Sequence, residues 1–83
     1  MPIRVRVVYF AQFSDAAGTR EESYELPEST SVAELVSRVS SAHERVERIR
    51  QMMNIAVNKM IVGPGSTLQD GDVVALFPPI TGG

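Results

Sequence analysis

Apolar and polar residues alternate along the first segment of the chain, as they do in a strand with one buried face. Every second residue of Ile3–Phe10 is β-branched or aromatic, which predicts a first β-strand over this range. The other face of this strand has two different ends. Arg4 and Arg6 place its first end in water, whereas Val8 and Phe10 make its second end apolar. We therefore expect something to cover that apolar end.

A second alternating segment, Arg20–Leu26, follows a turn signal at Gly18. We predict a strand that pairs antiparallel with the first, with Tyr24 and Leu26 facing the core. The connection between the two segments is long for a hairpin, so we expect a short helical turn within it. Pro27 ends the second strand.

Helical spacing begins after Ser31, which stands three residues before Glu34 as in a capping box. A single helix reaching Met53 would overhang so small a domain, so we favour two shorter helices with a break near Ser40-Ser41. The apolar residues with helical spacing are Val32, Leu35, Val36, Val39, Ala42, Val46, Ile49 and Met53.

Three short apolar runs follow the helical segment. Ile55–Val57 and Met60–Val62 flank Asn58-Lys59, which predicts two strands joined by a tight turn. Val73–Phe77 is nearly all apolar, as expected of a strand buried on both faces.

The element order is β-β-α-β-β-β, with one main helix on one face of a mixed sheet of about five strands. This order predicts an α+β domain with the β-grasp, or ubiquitin-like, fold. A chain of 83 residues has room for one small core. Because Pro78-Pro79 ends the last strand, we assign residues 1–79 to this domain and residues 80–83 to a flexible C-terminal tail.

Composition narrows the classes of function. A net charge of -2 argues against binding to nucleic acid or to an anionic membrane. No apolar stretch approaches the roughly 20 residues that span a bilayer, and the first residues lack the pattern of a signal peptide. We expect a soluble cytoplasmic protein. With no cysteine in the chain, disulfides, thiolate metal sites and cysteine nucleophiles are excluded.

Few side chains of this sequence are candidates for catalysis or metal binding. His43 is the only histidine, and its place within a helical pattern predicts a surface or boundary residue. Asp70 and Asp72 flank Gly71, which predicts a turn, because a calcium loop needs more oxygen ligands at fixed spacing. We expect neither a metal nor a cofactor to be bound by the chain itself. By default the methionines fill gaps in the core or its boundary; these are Met52, Met53 and Met60.

The chain ends in Gly82-Gly83, a pair that arises by chance about once in 200 chains. Glycine has no Cβ, so such a tail could thread a narrow channel and present the unhindered α-carboxylate of Gly83 to another protein. A frayed terminus is equally compatible with the composition. The residues alone leave both interpretations open.

Several stretches of the sequence resemble one known family. They are Val8–Gln12, Ala17–Thr19, Leu26-Pro27, Ser31–Leu35, Ala56–Asn58, Leu68–Val73 and Phe77–Gly83. The last, Phe-Pro-Pro-Ile-Thr-Gly-Gly, is the most specific. Across nearly its whole length the chain resembles the small subunit of molybdopterin synthase.

This resemblance implies a sulfur carrier that is not an enzyme on its own. A ubiquitin-activating-like adenylyltransferase would use ATP to adenylate the carboxylate of Gly83, and a sulfur donor protein would convert it to a thiocarboxylate. The tail, including Gly82, would then enter the large catalytic subunit and donate sulfur to cyclic pyranopterin monophosphate. Two small and two large subunits would form the working enzyme.

The resemblance also implies which residues bind the partners. Phe10, Ile61 and Phe77 match partner-facing positions, although burial in the core is an alternative for all three. Alternation along the first strand favours exposure for Phe10. One sheet face would serve the adenylyltransferase and the large subunit in turn, so the two should compete. The remaining partner-binding residues would be Pro78, Pro79, Ile80 and Thr81.

Other classes of function stay open on the residues alone. A related carrier could supply sulfur for the thiamine thiazole or another product. A ubiquitin-like modifier would instead join Gly83 to lysines of other proteins. An interaction domain would work without the two terminal glycines.

Overall fold

Within residues 1–79, which the computed structural model describes, five strands form one mixed sheet. The strands are β1 Ile3–Tyr9, β2 Glu21–Leu26, β3 Asn54–Val57, β4 Met60–Ile61 and β5 Val73–Phe77. Their order across the sheet is β2-β1-β5-β3-β4, with β1 and β5 parallel and the other neighbours antiparallel. The predicted α+β architecture is confirmed.

The helices lie on one face of this sheet. They are α1 Gln12–Ala17, α2 Val32–Ala42 and α3 Glu44–Arg48, followed by a 3₁₀ turn over Arg50–Met52. The short helical turn expected between the first two strands is therefore α1. It places Phe13 in the core, where its side chain is completely buried.

The first strand follows its sequence pattern closely. The side chains of Ile3, Val5, Val7 and Tyr9 are buried, and the residues between them are exposed or half-buried. The strand ends at Tyr9, one residue earlier than predicted, because its pairing with β5 ends at Tyr9 and its pairing with β2 ends at Val8.

The predicted capping box starts α2. Ser31 Oγ accepts a hydrogen bond from the Glu34 amide at 3.2 Å, and Glu34 Oε1 accepts one from the Ser31 amide at 3.1 Å. The predicted break is also present, but it lies at His43 rather than at Ser40-Ser41. His43 has an extended backbone there, which lets α3 pack against α1. Ala42, predicted to face the core, is exposed at this break.

A polar cluster holds the break against the edge of the sheet. Glu22 Oε1 on β2 accepts a hydrogen bond from Tyr9 Oη at 2.6 Å and lies 2.7 Å from His43 Nε2. Partial burial raises the pKa of Glu22, but the hydrogen bonds from Tyr9 and His43 outweigh that effect and hold the pKa below its usual value. His43 is thus a boundary residue, as predicted.

The core lies between the helices and the inner face of the sheet. The predicted role of the methionines is only partly correct: Met53 packs against the core, whereas Met52 is exposed and Met60 is 71% exposed on the short edge strand β4. The most deeply buried large side chains are Val5, Val7, Phe13, Leu26, Val32, Leu35, Val39, Val46, Leu68, Val74 and Leu76.

The Glu22 cluster should make stability depend on pH. Because the folded-state pKa of Glu22 is lowered, its contribution is fully present above the pKa of the unfolded chain, about 4.3, and is lost as the pH falls through the lower folded value. We expect E22Q to flatten this acid limb of the free energy of unfolding, measured by urea denaturation across that window. Y9F, which removes one hydrogen bond to Glu22, should flatten it less. An unchanged acid limb in E22Q would contradict this assignment.

A buried hydroxyl on α2 gives a second prediction. Ser40 is 7% exposed, and its Oγ has no hydrogen-bond partner among the residues described. We expect S40A to raise the free energy of unfolding by about 1 kcal/mol, because it removes an unsatisfied polar group and adds a better helix former. The exposed neighbour Ser41 provides a control, since S41A gains helix propensity only. Equal effects of S40A and S41A would show that the buried hydroxyl carries no penalty.

Candidate functional site

The sheet face turned away from the helices carries a continuous set of apolar side chains. Val8 lies opposite Ala75, and Ala75 lies opposite Ala56. Ile61 also lies opposite Ala56, so one apolar row crosses β1, β5, β3 and β4. We call this face the outer apolar surface; its residues are Val8, Phe10, Ala56, Ile61, Ala75 and Phe77.

The three predicted partner-facing residues are brought together on this surface. Phe10 is 49% exposed and Ile61 is 76% exposed, so neither belongs to the core. Phe77 is half-buried on the same face, at the end of β5. The Phe10 amide donates to the Leu76 carbonyl at 3.0 Å, which holds Phe10 beside that strand end.

One prediction for β5 is wrong. Its apolar run predicted burial on both faces, but only Val74 and Leu76 are buried, while Val73, Ala75 and Phe77 are half-buried. The physical reason is that every helix within residues 1–79 packs on the inner face. The outer face of this strand is apolar without being covered.

A shallow concavity occupies part of the outer face. Apolar and polar residues line it together, as they do at protein interfaces, and we call the polar ones its margin. The apolar residues that line it are Val8, Phe10, Val73 and Ala75, and the polar ones are Arg6, Asn58 and Lys59.

The margin is held by the turn between β3 and β4. Asn58 and Lys59 have φ values of 51° and 72°, the left-handed pair that a two-residue type I′ hairpin turn requires. Asn58 Nδ2 donates to Asp72 Oδ1 at 2.9 Å, and Asn58 Oδ1 accepts from the Val73 amide at 3.0 Å. These bonds tie the hairpin to the start of β5 and so fix the position of Ile61.

The predicted turn before β5 is also present. Gly71 has a φ of 88°, and Asp72 Oδ2 accepts a hydrogen bond from the Gln69 amide at 2.8 Å. The contact between Asp72 and Asn58 could not be predicted from the sequence, because no local spacing relates residues so far apart. The pairing of Asn58 with Val73 follows only once β3 is known to lie beside β5.

The outer apolar surface reaches the point where the chain leaves the sheet. Pro78 and Pro79 follow directly after Phe77; Pro78 is half-buried and Pro79 is exposed. The predicted site residues Ile80, Thr81, Gly82 and Gly83 lie outside the described residues.

No three His, Asp or Glu side chains within residues 1–79 come together as a metal site would require. None of the described helices is long and apolar enough to cross a membrane.

A helix-backed five-strand sheet whose opposite face is open and apolar defines a β-grasp domain of the ubiquitin-like class. Sequence comparison assigns it further: the model of the ThiS family matches residues 7–83. The chain belongs to the ThiS family.

Several relatives match the chain over nearly its full length. The molybdopterin synthase sulfur carrier subunit of Chlamydomonas reinhardtii is 31% identical, over 98% of this chain and 100% of that protein. A Pyrococcus furiosus structure described as molybdopterin converting factor, subunit 1, is 38% identical with a TM-score of 0.88, covering 94% of this chain and 99% of that one. The resemblance inferred from the sequence is thereby confirmed.

A third relative was solved together with a second protein. It comes from a protein-protein complex of subunits 1 and 2 of the molybdopterin-converting factor from Helicobacter pylori. It is 26% identical to this chain with a TM-score of 0.69, and the match covers 98% of this chain and 100% of that one.

The position of Ile61 outside the core can be tested by stability. We expect I61S to change the free energy of unfolding by less than about 0.5 kcal/mol, as for an exposed surface residue. L76A, on the buried face of β5, should cost about 2–5 kcal/mol by leaving a cavity. Urea denaturation of both variants measures the difference. A loss in I61S comparable to that in L76A would place Ile61 in the core instead.

Proposed function

We propose that this protein is the sulfur carrier of molybdenum cofactor biosynthesis and acts as the small subunit of molybdopterin synthase. The observation that carries the proposal is the outer apolar surface, which ends at Phe77, where the chain continues toward Gly83. A docking surface beside a narrow tail is what a carrier needs to deliver a terminal group into another protein. Membership of the ThiS family and the names of the relatives support the same function.

The reacting group in this proposal is the α-carboxylate of Gly83. A carboxylate is a poor electrophile, so an adenylyltransferase partner first joins it to the AMP portion of ATP and releases pyrophosphate. Sulfide released by a donor protein then attacks the acyl carbon, a carbon–sulfur bond forms, and AMP leaves with the oxygen that joined it to the carbonyl. The product is a thiocarboxylate whose sulfur is a nucleophile. Covalent activation thus divides one difficult transfer into two easier steps.

The large catalytic subunit then receives the thiocarboxylate. Gly82 and Gly83 carry no Cβ, so they fit a channel too narrow for other residues. The sulfur displaces an oxygen substituent on a carbon of cyclic pyranopterin monophosphate, and water then cleaves its bond to the acyl carbon, which restores the carboxylate of Gly83 and begins the dithiolene that later holds molybdenum. The carrier supplies one reactive atom and a surface for docking, while the partners supply the catalytic side chains and consume the ATP.

Docking in this proposal uses the outer apolar surface. Phe10, Ile61 and Phe77 would contact the large subunit at the centre of the interface, where apolar side chains are favoured. The large subunit and the adenylyltransferase would cover the same residues and therefore compete. Two small and two large subunits would form the complete enzyme. The chain would also contact its partners through Pro78, Pro79, Ile80 and Thr81.

The carrier chemistry predicts a defined change in mass. Incubation with ATP, sulfide and the adenylyltransferase should add the mass difference between one sulfur and one oxygen, measured on the intact protein. Deleting Gly83 should abolish the gain, because the reacting carboxylate is then displaced. Gly65 offers a matched control, since it is exposed and nothing lies within 4 Å of the position of an added Cβ. G65A should gain the same mass as the wild type.

Each alternative gives a different result. No mass gain with an adenylyltransferase that is active on another carrier would overturn the thiocarboxylate proposal. Isopeptide conjugates with other proteins would favour a ubiquitin-like modifier. A thiocarboxylate that forms but yields no dithiolene with the large subunit would indicate a carrier for thiamine thiazole or another product.

A further inference from the structure

Lys59 is unusual among the basic residues of this chain. It is the only lysine; all other strongly basic side chains are arginines. It stands at the second position of the hairpin turn between β3 and β4 and is exposed. Its ammonium group forms neither a salt bridge nor a side-chain hydrogen bond with the rest of residues 1–79. The fold therefore gains no contact from the lysine side chain.

The backbone at Lys59 is strained. Its φ of 72° lies in the left-handed region, where a Cβ crowds the following carbonyl group. Glycine is the favoured residue at this position of a type I′ turn, and Asn58 already supplies the favoured first residue. A lysine here costs stability that a glycine would not. Strain at an exposed position without a structural partner points to a role in function.

The position of Lys59 suggests what that role is. Lys59 lines the concavity of the outer face together with Phe10 and Ala75, so its charge stands at the margin of the proposed docking surface. Arg6, the other cation at this margin, already lies 3.8 Å from Glu21. Lys59 is thus the cation at this margin that is free to pair with another molecule, within the part of the chain described.

We propose that Lys59 is a docking residue whose ammonium group pairs with a carboxylate of the protein that covers the outer apolar surface. This inference rests on the proposed function, in which that protein is the large subunit of molybdopterin synthase. Apolar contacts alone allow several orientations of one surface on another. A single ion pair at the margin selects one orientation and speeds the encounter of the two proteins.

The first test separates the effect of the Lys59 charge from the effect of its strained backbone conformation. K59Q keeps a side chain in the strained turn but removes the charge, whereas K59R keeps the charge. We expect K59Q to weaken binding to the large subunit about fivefold at low ionic strength, chiefly through slower association, and to lessen the dependence of binding on salt. K59R should bind within about twofold of the wild type. Association and dissociation rates at two salt concentrations provide the measurement.

Arg38 provides the control for net charge. It is exposed on α2, on the opposite side of the sheet, so R38Q changes the total charge as K59Q does without altering the outer face. R38Q should bind as the wild type does. If K59Q and R38Q bind equally well, Lys59 has no specific role in docking.

The second test uses the strain. K59G should relieve the left-handed backbone and raise Tm by about 2–4 °C, since the gain is partly offset by the greater freedom of glycine in the unfolded chain. It should nevertheless bind as weakly as K59Q. A residue with a purely structural role would not show higher stability together with weaker binding. A K59G variant that is more stable and binds normally would overturn the proposal.

Failure of this inference is distinguishable from failure of the proposed function. If the wild-type chain binds the large subunit and accepts sulfur on Gly83 while K59Q behaves identically, only the role of Lys59 is wrong. If the wild-type chain does not bind the large subunit at all, the proposed function is overturned and the Lys59 proposal with it.

Discussion

The parallel pairing of β1 with β5 is the contact on which the rest of the molecule depends. Val7 lies beside Val74 and Tyr9 beside Leu76, and all four side chains are at most 2% exposed. Two parallel neighbours cannot be joined by a tight turn, so the chain between them must cross over the sheet. In this molecule the crossover contains the helices, all of which pack on one face. The pair thus determines at once where the core lies and which face remains open.

The outer face of the sheet is open because the helices of this crossover all pack on the inner face. Side chains alternate along each strand, so β1, β3 and β5 contribute one face to the core and hold the outer apolar surface in place with the other. Ile61 stays largely in solvent, and Phe10 keeps about half of its surface there. Their positions are nevertheless well defined, since they stand on or next to paired strands. Residues on a rigid sheet are positioned more accurately for recognition than residues on loops.

The sequence predicted those features whose causes are local. Alternation predicted the strands, and the Ser31–Glu34 spacing predicted where α2 begins. The break at His43 was predicted too early in the chain, since the contact of His43 with Glu22 joins two separate elements and leaves no local pattern. The half-open state of β5 was missed, since an apolar run does not reveal whether a second layer covers it. The exposure of Phe10 was predicted from alternation; the roles of Gly82 and Gly83 stay predictions from family resemblance.

The two edges of the sheet have a consequence for self-association. An edge strand with free backbone groups invites pairing with a second copy, and an open apolar face would add to that tendency. Here β4 has only 2 residues, and β2 has three glutamates among its 6 residues, so neither edge is a good template for another identical strand. The two edge strands therefore disfavour the pairing of identical copies into aggregates or filaments. The apolar centre of the sheet stays available to bind a different protein.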